Sequence, residues 1–147
     1  MPKSGSCLCG AVTYEINSDP SDAGACHCGM CRKWTGGINV AVEAAPDQIT
    51  INGAENITTY PSSDWGERSF CSTCGSSLWY RVTAPGPLNG TRFVGLGTID
   101  DPSGIAVTSE IFIDRKPSGY AFAGDLKAMT EAEFMAMYGG ESEQGPA

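Results

Sequence analysis

Seven cysteines stand in three tight groups, and they constrain this chain more than any other feature. Cys7 and Cys9 form a C-x-C pair, Cys26, Cys28 and Cys31 a C-x-C-x-x-C triplet, and Cys71 and Cys74 a C-x-x-C pair. An odd number leaves one thiol over in any disulfide framework, and close pairs in a reducing compartment read instead as metal or redox sites. The triplet also encloses the one histidine, His27, so three soft sulfur donors and an imidazole fall within six consecutive positions. Zinc takes such ligands at roughly tetrahedral angles, and a short C-x-C-x-x-C loop can supply three of them. Three protein thiolates leave a fourth position open, the mark of a reactive site rather than a closed structural one.

That reading depends on where the other four cysteines go. A glycine just after a ligand cysteine lets the backbone turn tightly under the sulfur. Cys9 and Cys74 are followed by Gly10 and Gly75, whereas Cys31 is followed by Arg32. The simplest partition joins Cys7, Cys9, Cys71 and Cys74 in a closed site that clips the first strand to the middle of the chain. Cys26, Cys28 and Cys31 then remain as an open three-thiolate site. No spacing rule forces this, and a swap of partners satisfies the same ligand chemistry. A second structural zinc, completed by His27 or a distant group, is the other reading of the triplet.

The rest of the chain reads as β-structure. Val12, Tyr14 and Ile16 alternate with Ala11, Thr13 and Glu15, the period of a half-buried strand. Ile38 to Val42 alternates likewise, and further strands are predicted at Gln48 to Ile51, Ile57 to Tyr60, Arg68 to Phe70, Ser77 to Val82, Arg92 to Leu96 and Ala106 to Ile113. A short helical turn is expected from Met30 to Trp34, broken by Thr35-Gly36-Gly37. Near the end, Thr130-Glu131-Ala132-Glu133 is a capping box, followed by an apolar stripe of Phe134, Met137 and Tyr138 and a Gly139-Gly140 stop. The sequence therefore predicts an all-β fold with one short C-terminal helix: a single zinc-binding domain over residues 1–138 and a flexible tail at 139–147.

Composition narrows the function. With 41% hydrophobic and 18% charged residues among 147, the chain reads as one globular domain. No apolar run approaches the roughly 20 residues that span a bilayer, and Met1 to Ser6 lacks the apolar core of a signal peptide. The expectation is a cytoplasmic protein with no membrane partner. A formal charge of −8 argues against a nucleic-acid partner, which demands excess Lys and Arg. It leaves room for a small anion held by local cations, and Arg32 and Lys33 beside the triplet are the candidate substrate contacts.

Four runs carry a resemblance to a known family: Ser6-Cys7-Leu8-Cys9-Gly10-Ala11-Val12, Cys26-His27-Cys28-Gly29-Met30-Cys31-Arg32-Lys33, Phe70-Cys71-Ser72-Thr73-Cys74-Gly75-Ser76 and Gly97-Thr98-Ile99-Asp100-Asp101-Pro102. In this order they resemble the glutathione-dependent formaldehyde-activating family, which also contains the centromere protein V relatives. The resemblance implies a β-tent fold and two zinc ions per chain. One is structural, on Cys7, Cys9, Cys71 and Cys74. The other is catalytic, on Cys26, Cys28 and Cys31, where a small-molecule thiol meets the metal. The implied activity is that of a carbon–sulfur lyase or synthase joining or releasing a thiol such as glutathione and a small aldehyde such as formaldehyde. A non-catalytic zinc-stabilised binding module is the alternative. The chain departs from the pattern at Glu110, where many relatives carry a histidine, and at Pro117-Ser118, where they carry Pro-Trp. Those changes bear on substrate identity rather than on zinc.

Four further side chains have readings from the sequence alone. Arg68 either contacts substrate or pairs with a carboxylate. Asp100 and Asp101 read as turn residues before Pro102. A general-base role for His27 lacks a visible orienting partner. Oligomeric state leaves no trace in the sequence.

Overall fold

The computed structural model describes residues 1–138, so the tail and the Gly139-Gly140 stop lie outside the described residues. The first half contributes strands β1 (Lys3–Ser6), β2 (Thr13–Ile16) and β3 (Asp22–Cys26), helix α1 (Gly29–Thr35), and strands β4 (Asn39–Ala44), β5 (Ile49–Asn52) and β6 (Ile57–Pro61). The second half adds β7 (Gly66–Cys71), β8 (Ser77–Val82), β9 (Arg92–Gly95), β10 (Ala106–Ile111) and β11 (Lys127–Met129), then helix α2 (Glu131–Tyr138). The fold is mostly β-sheet with two short helices, the second at the C-terminal end. These elements form two compact units, described in turn.

The first unit is made of Met1–Ser21 and Ala41–Ile105. In it β1, β2 and β5 form an antiparallel sheet, and β4, β9, β8, β7 and β6 follow one another as antiparallel neighbours. The alternation read from Val12 to Ile16 is what the chain uses: Val12, Tyr14 and Ile16 are buried while Thr13 and Glu15 face solvent. Tyr14 meets Trp79 of β8 edge-on at 5.9 Å, and its hydroxyl hydrogen-bonds Thr98 Oγ1 at 2.6 Å. Val42, Leu78 and Val94 complete this core. The strand expected from Ile38 runs instead from Asn39 to Ala44, and Ile38 is exposed. Asp101 is a turn residue as read, its Oδ1 accepting from the N–H of Ser103 at 3.1 Å. Lys3 ties that turn down by donating to the carbonyls of Asp101 and Ser103.

The second unit comprises Asp22–Val40 and the described residues from Ala106 on. Here β10 lies between β3 and β11 and pairs with both in parallel. The strand expected to continue to Ile113 ends at Ile111, because Phe112 turns into the left-handed region at φ 56°. A bulky residue there is strained by about 1–3 kcal/mol, and close packing must hold it. Phe112 is buried against Cys28, Cys31 and, at 5.2 Å between ring centroids, Phe134.

Helix α2 starts as its capping box dictates. The Thr130 hydroxyl accepts from the Glu133 N–H at 3.2 Å, and Glu133 Oε1 accepts from the Thr130 N–H at 2.9 Å. The expected stripe holds in part: Phe134 packs on the Phe112 cluster and Tyr138 stacks on Phe134 at 4.6 Å between ring centroids, but Met135 rather than Met137 joins the cluster, and Met137 and Tyr138 are exposed. The helix docks by its first turn, where Arg115 pairs with Glu131 at 2.8 Å and Asp114 accepts from the Glu131 N–H. Thr130→Ala is expected to cost about 1 kcal/mol. Faster amide exchange confined to α2 would show it, and unchanged exchange there would count against the cap.

Candidate metal centres

In the first unit, two tight turns bring four sulfurs together. The first leaves β1 and contains Cys7 and Cys9. Gly10 sits in it at φ 81° and donates its N–H to the Cys7 carbonyl at 3.2 Å. The second leaves β7, where Gly75, at φ 80°, donates to the Cys71 carbonyl at 2.8 Å. Both glycines occupy a conformation that other residues avoid, which is why each follows a cysteine. The turns are stitched together by the Leu8 N–H donating to Ser76 Oγ at 2.9 Å.

All four sulfurs of Cys7, Cys9, Cys71 and Cys74 lie within 4.8 Å of one another. Cys7 and Cys9 are 3.6 Å apart, and Cys9 and Cys71 3.8 Å. A disulfide would need about 2.05 Å. Thiolates 2.3 Å from a tetrahedral zinc stand about 3.8 Å apart, so the spacing fits zinc. Their surroundings favour ionisation unevenly. The Ser76 hydroxyl and N–H lower the Cys74 thiol to about 5. Burial raises Cys7, but the Val12 N–H at 3.3 Å and the nearby sulfurs of Cys9 and Cys71 bring it below the usual thiol range. Cys9 receives the Ala11 N–H, which lowers it, yet desolvation and its sulfur neighbours push it up to about 11.

The triplet in the second unit is built differently. Cys26 ends β3, Cys28 is the N-cap of α1, and Cys31 lies in the first turn of that helix. The Cys31 N–H donates to Cys28 Sγ at 3.3 Å, as it would to a serine cap. Because Cys31 continues a helix rather than closing a turn, Arg32 follows it, and the closing glycine comes later, at Gly36. The three sulfurs lie within 4.8 Å of one another, spacing that also suits a thiolate-bound metal. The sulfurs of Cys28 and Cys31, together with burial, push the Cys26 thiol well above its ordinary range. Among the described residues no further His, Cys, Asp or Glu joins this group of ligand atoms.

His27 turns away from the sulfurs into a polar pocket of its own. It is 1% exposed; its Nε2 lies 2.9 Å from Glu110 Oε1, and its Nδ1 lies 3.3 Å from the Tyr120 hydroxyl. The Tyr120 and Phe122 rings stand 6.0 Å from the imidazole. The backbone is pinned as well, the His27 N–H donating to the Ile111 carbonyl at 3.1 Å. Glu110 and Tyr120 are thus orienting partners that the sequence does not disclose. Glu110 was legible only as a departure from the family histidine.

Of the two cations beside the triplet, Lys33 is exposed and Arg32 half-buried, with its Nε buried and lacking a hydrogen-bond partner. Both also lie in the last turn of α1, where cations suit the helix dipole. Arg68 belongs to the first unit. It is buried with Nε donating to Ser62 Oγ at 3.2 Å and its guanidinium 5.0 Å from the Tyr80 ring centre. No helix among the described residues is long and apolar enough to cross a membrane.

Comparison with known proteins adds four findings. The profile of the family described as "Glutathione-dependent formaldehyde-activating enzyme" matches residues 2–115. A Schizosaccharomyces pombe protein named as an uncharacterized lyase is 30% identical over 139 residues, covering 92% of this chain and 96% of its own. A Halomonas elongata protein named "Putative glutathione-dependent formaldehyde-activating enzyme" is 39% identical over 83 residues, 51% of this chain and 53% of its own. Among solved structures, a Rhodobacter sphaeroides protein superposes with a TM-score of 0.53 at 28% identity, covering 66% of this chain and 87% of that one.

Proposed function

The chain belongs to the glutathione-dependent formaldehyde-activating family, and from that premise we propose a zinc-dependent carbon–sulfur lyase or synthase. It would join or release a thiol such as glutathione and a small aldehyde such as formaldehyde, with Cys26, Cys28 and Cys31 as its reactive centre. The observation that carries the proposal is the triplet itself: three converging sulfurs without a fourth donor among the described residues, and a neighbouring histidine whose ring is occupied elsewhere. The relatives' names, one a lyase and one a formaldehyde-activating enzyme, support the same class of reaction.

Zinc held by the triplet would supply a soft Lewis acid that lowers the pKa of a substrate thiol. The remaining work belongs to the protein. Cys26, Cys28 and Cys31 set the donor geometry, and the Cys31 N–H steadies the Cys28 sulfur. His27 acts as a positioning residue: with one ring nitrogen on Glu110 and the other on Tyr120, it anchors the loop between two donors. Three thiolates exceed the charge of one zinc ion, so an anionic thiol needs compensating cations. The unpartnered Nε makes Arg32 the better candidate to meet a ligand carboxylate, with Lys33 beside it.

A non-catalytic zinc-stabilised module would need the triplet closed by a fourth protein donor. His27 is the nearest in sequence, and its turned-away ring disfavours that reading. Calorimetry on the zinc-loaded protein separates the two. Glutathione is expected to bind at one site per chain, and S-methylglutathione, whose sulfur cannot ionise, to bind at least tenfold more weakly, about 1.4 kcal/mol. Equal affinities, or no heat with either, would set the thiol-binding proposal aside.

A further inference from the structure

The first unit carries a second concave feature that uses none of the cysteines. Glu67, Trp79, Arg81 and Arg92, presented by β7, β8 and β9, line a cleft of about 230 Å³ together with Ile51 and Ile57. The charges in it do not balance. Arg81 and Arg92 stand directly opposite each other on β8 and β9, a like-charge cross-strand pair that works against sheet stability. Glu67 faces Arg81 from β7 and pairs with it, Nη1 to Oε1 at 3.0 Å. One carboxylate therefore serves two guanidinium groups. The remaining charge centres on Arg92, whose guanidinium lies 5.5 Å from the Trp79 ring centre. Its Nε is buried without a hydrogen-bond partner. Burial, and then the charge of Arg81, pull its pKa below the usual arginine range, so its charged form is held in an unfavourable place.

Packing against Trp79 would explain the stem of Arg92. It would not explain a second arginine set opposite Arg81 with a buried donor left open. Both features are relieved by one added anion. We infer that this cleft binds a small organic acid, a monocarboxylate whose charged end meets Arg92 beside Arg81 and whose apolar body lies against Trp79, Ile51 and Ile57. A single negative charge matches the net charge of the two arginines and Glu67. A planar carboxylate suits the guanidinium fork. The isoleucine and tryptophan walls favour an organic acid over a bare inorganic ion. The site is independent of the thiol chemistry proposed for the triplet.

The test uses the full-length, zinc-loaded protein with benzoate as probe, benzamide as its uncharged counterpart, and chloride. Benzoate is expected to bind at one site per chain and benzamide at least about tenfold more weakly, the scale of a charge-assisted hydrogen bond. Arg92→Gln should weaken benzoate by a similar factor while leaving the zinc content unchanged. Glu67→Gln removes the competing carboxylate and should tighten it. If Arg92→Gln does not fold, the benzoate–benzamide contrast and Glu67→Gln still decide. The inference is overturned if benzoate gives no heat, if benzamide binds equally well, or if Glu67→Gln has no effect or weakens binding. Displacement of benzoate by equimolar chloride overturns it too, since the cleft would then hold only a counter-ion.

Discussion

Cys71→Ser is expected to abolish cooperative folding of the first unit. The Cys71 side chain is fully buried, with its sulfur 3.8 Å from that of Cys9 across 62 positions of sequence. A bridge closing a loop of that length removes about 4 kcal/mol of chain entropy from the unfolded state, if a metal clip acts as a covalent one does. The binding energy itself is larger: structural zinc contributes roughly 10–16 kcal/mol in small domains, as much as the whole stability of a typical fold at about 5–15 kcal/mol. The strands clipped together, β1 and β7, pair with β2 and with β6 and β8 rather than with each other. Serine offers a harder, less readily ionised donor that zinc accepts poorly. Circular dichroism on heating, together with metal analysis, would show a lost transition and at most one zinc per chain. A variant melting cooperatively at the wild-type temperature would mean that the four cysteines do not hold the unit together.

Where side chains repeat with a clear period, the sequence disclosed the fold. Val12, Tyr14 and Ile16 mark β2 because they are branched or aromatic, alternate strictly and share one buried face. Thr130 and Glu133 mark the start of α2 because a capping box is a local hydrogen-bond code. Strands β1 and β3 carry no such mark for a physical reason, and β11, with three residues, is too short to show a period. Lys3–Ser6 has no apolar residue beyond a glycine, and Gly5 is required because a Cβ there would come within 2.2 Å of the Tyr14 hydroxyl. Asp22–Cys26 contains Ala-Gly-Ala where β-branched residues are the usual sign, since a Cβ on Gly24 would press on Ser109 Oγ at 3.0 Å. Strands chosen for close approach have no room for the side chains that advertise strands.

The two cysteine groups were legible because residues able to share a metal ion cluster in sequence as well as in space. The environment of His27 was not. Glu110 lies 83 positions away and Tyr120 a further ten, and only the parallel register of β10 against β3 brings Glu110 beside Ala25 at the entrance to the loop. Long-range polar contacts of this kind leave no periodic trace. The left-handed Phe112 is equally silent, since nothing in Glu110-Ile111-Phe112 separates a strand end from a strand middle. Both features gather around the triplet, where local sequence rules are expected to yield to the demands of a site.

Cys28→Ser tests the triplet in a way that Cys71→Ser cannot test the other site, because its effects on folding and on chemistry should separate. Serine is a preferred N-cap, and its Oγ can accept the Cys31 N–H that Cys28 Sγ accepts now, so α1 should keep its start. The apolar cluster of the second unit is built on Cys28, Cys31 and Phe112, and replacing Cys28 leaves Cys31, Phe112, Ile111, Phe134 and Met135 of it in place. The variant is therefore expected to melt within a few degrees of wild type, equivalent to about 1 kcal/mol or less. Metal content should fall from two zinc ions per chain to one, and glutathione should no longer give heat. Turnover of a glutathione–formaldehyde adduct should drop by more than the roughly 10–100-fold typical of losing an outer-shell partner, because a donor itself is gone. Retention of both zinc ions with full binding would remove Cys28 from the donor set. Unfolding would mean that the triplet is structural, and the proposed reactive centre would have to be given up, because a site that the fold needs closed has no position left for a substrate sulfur.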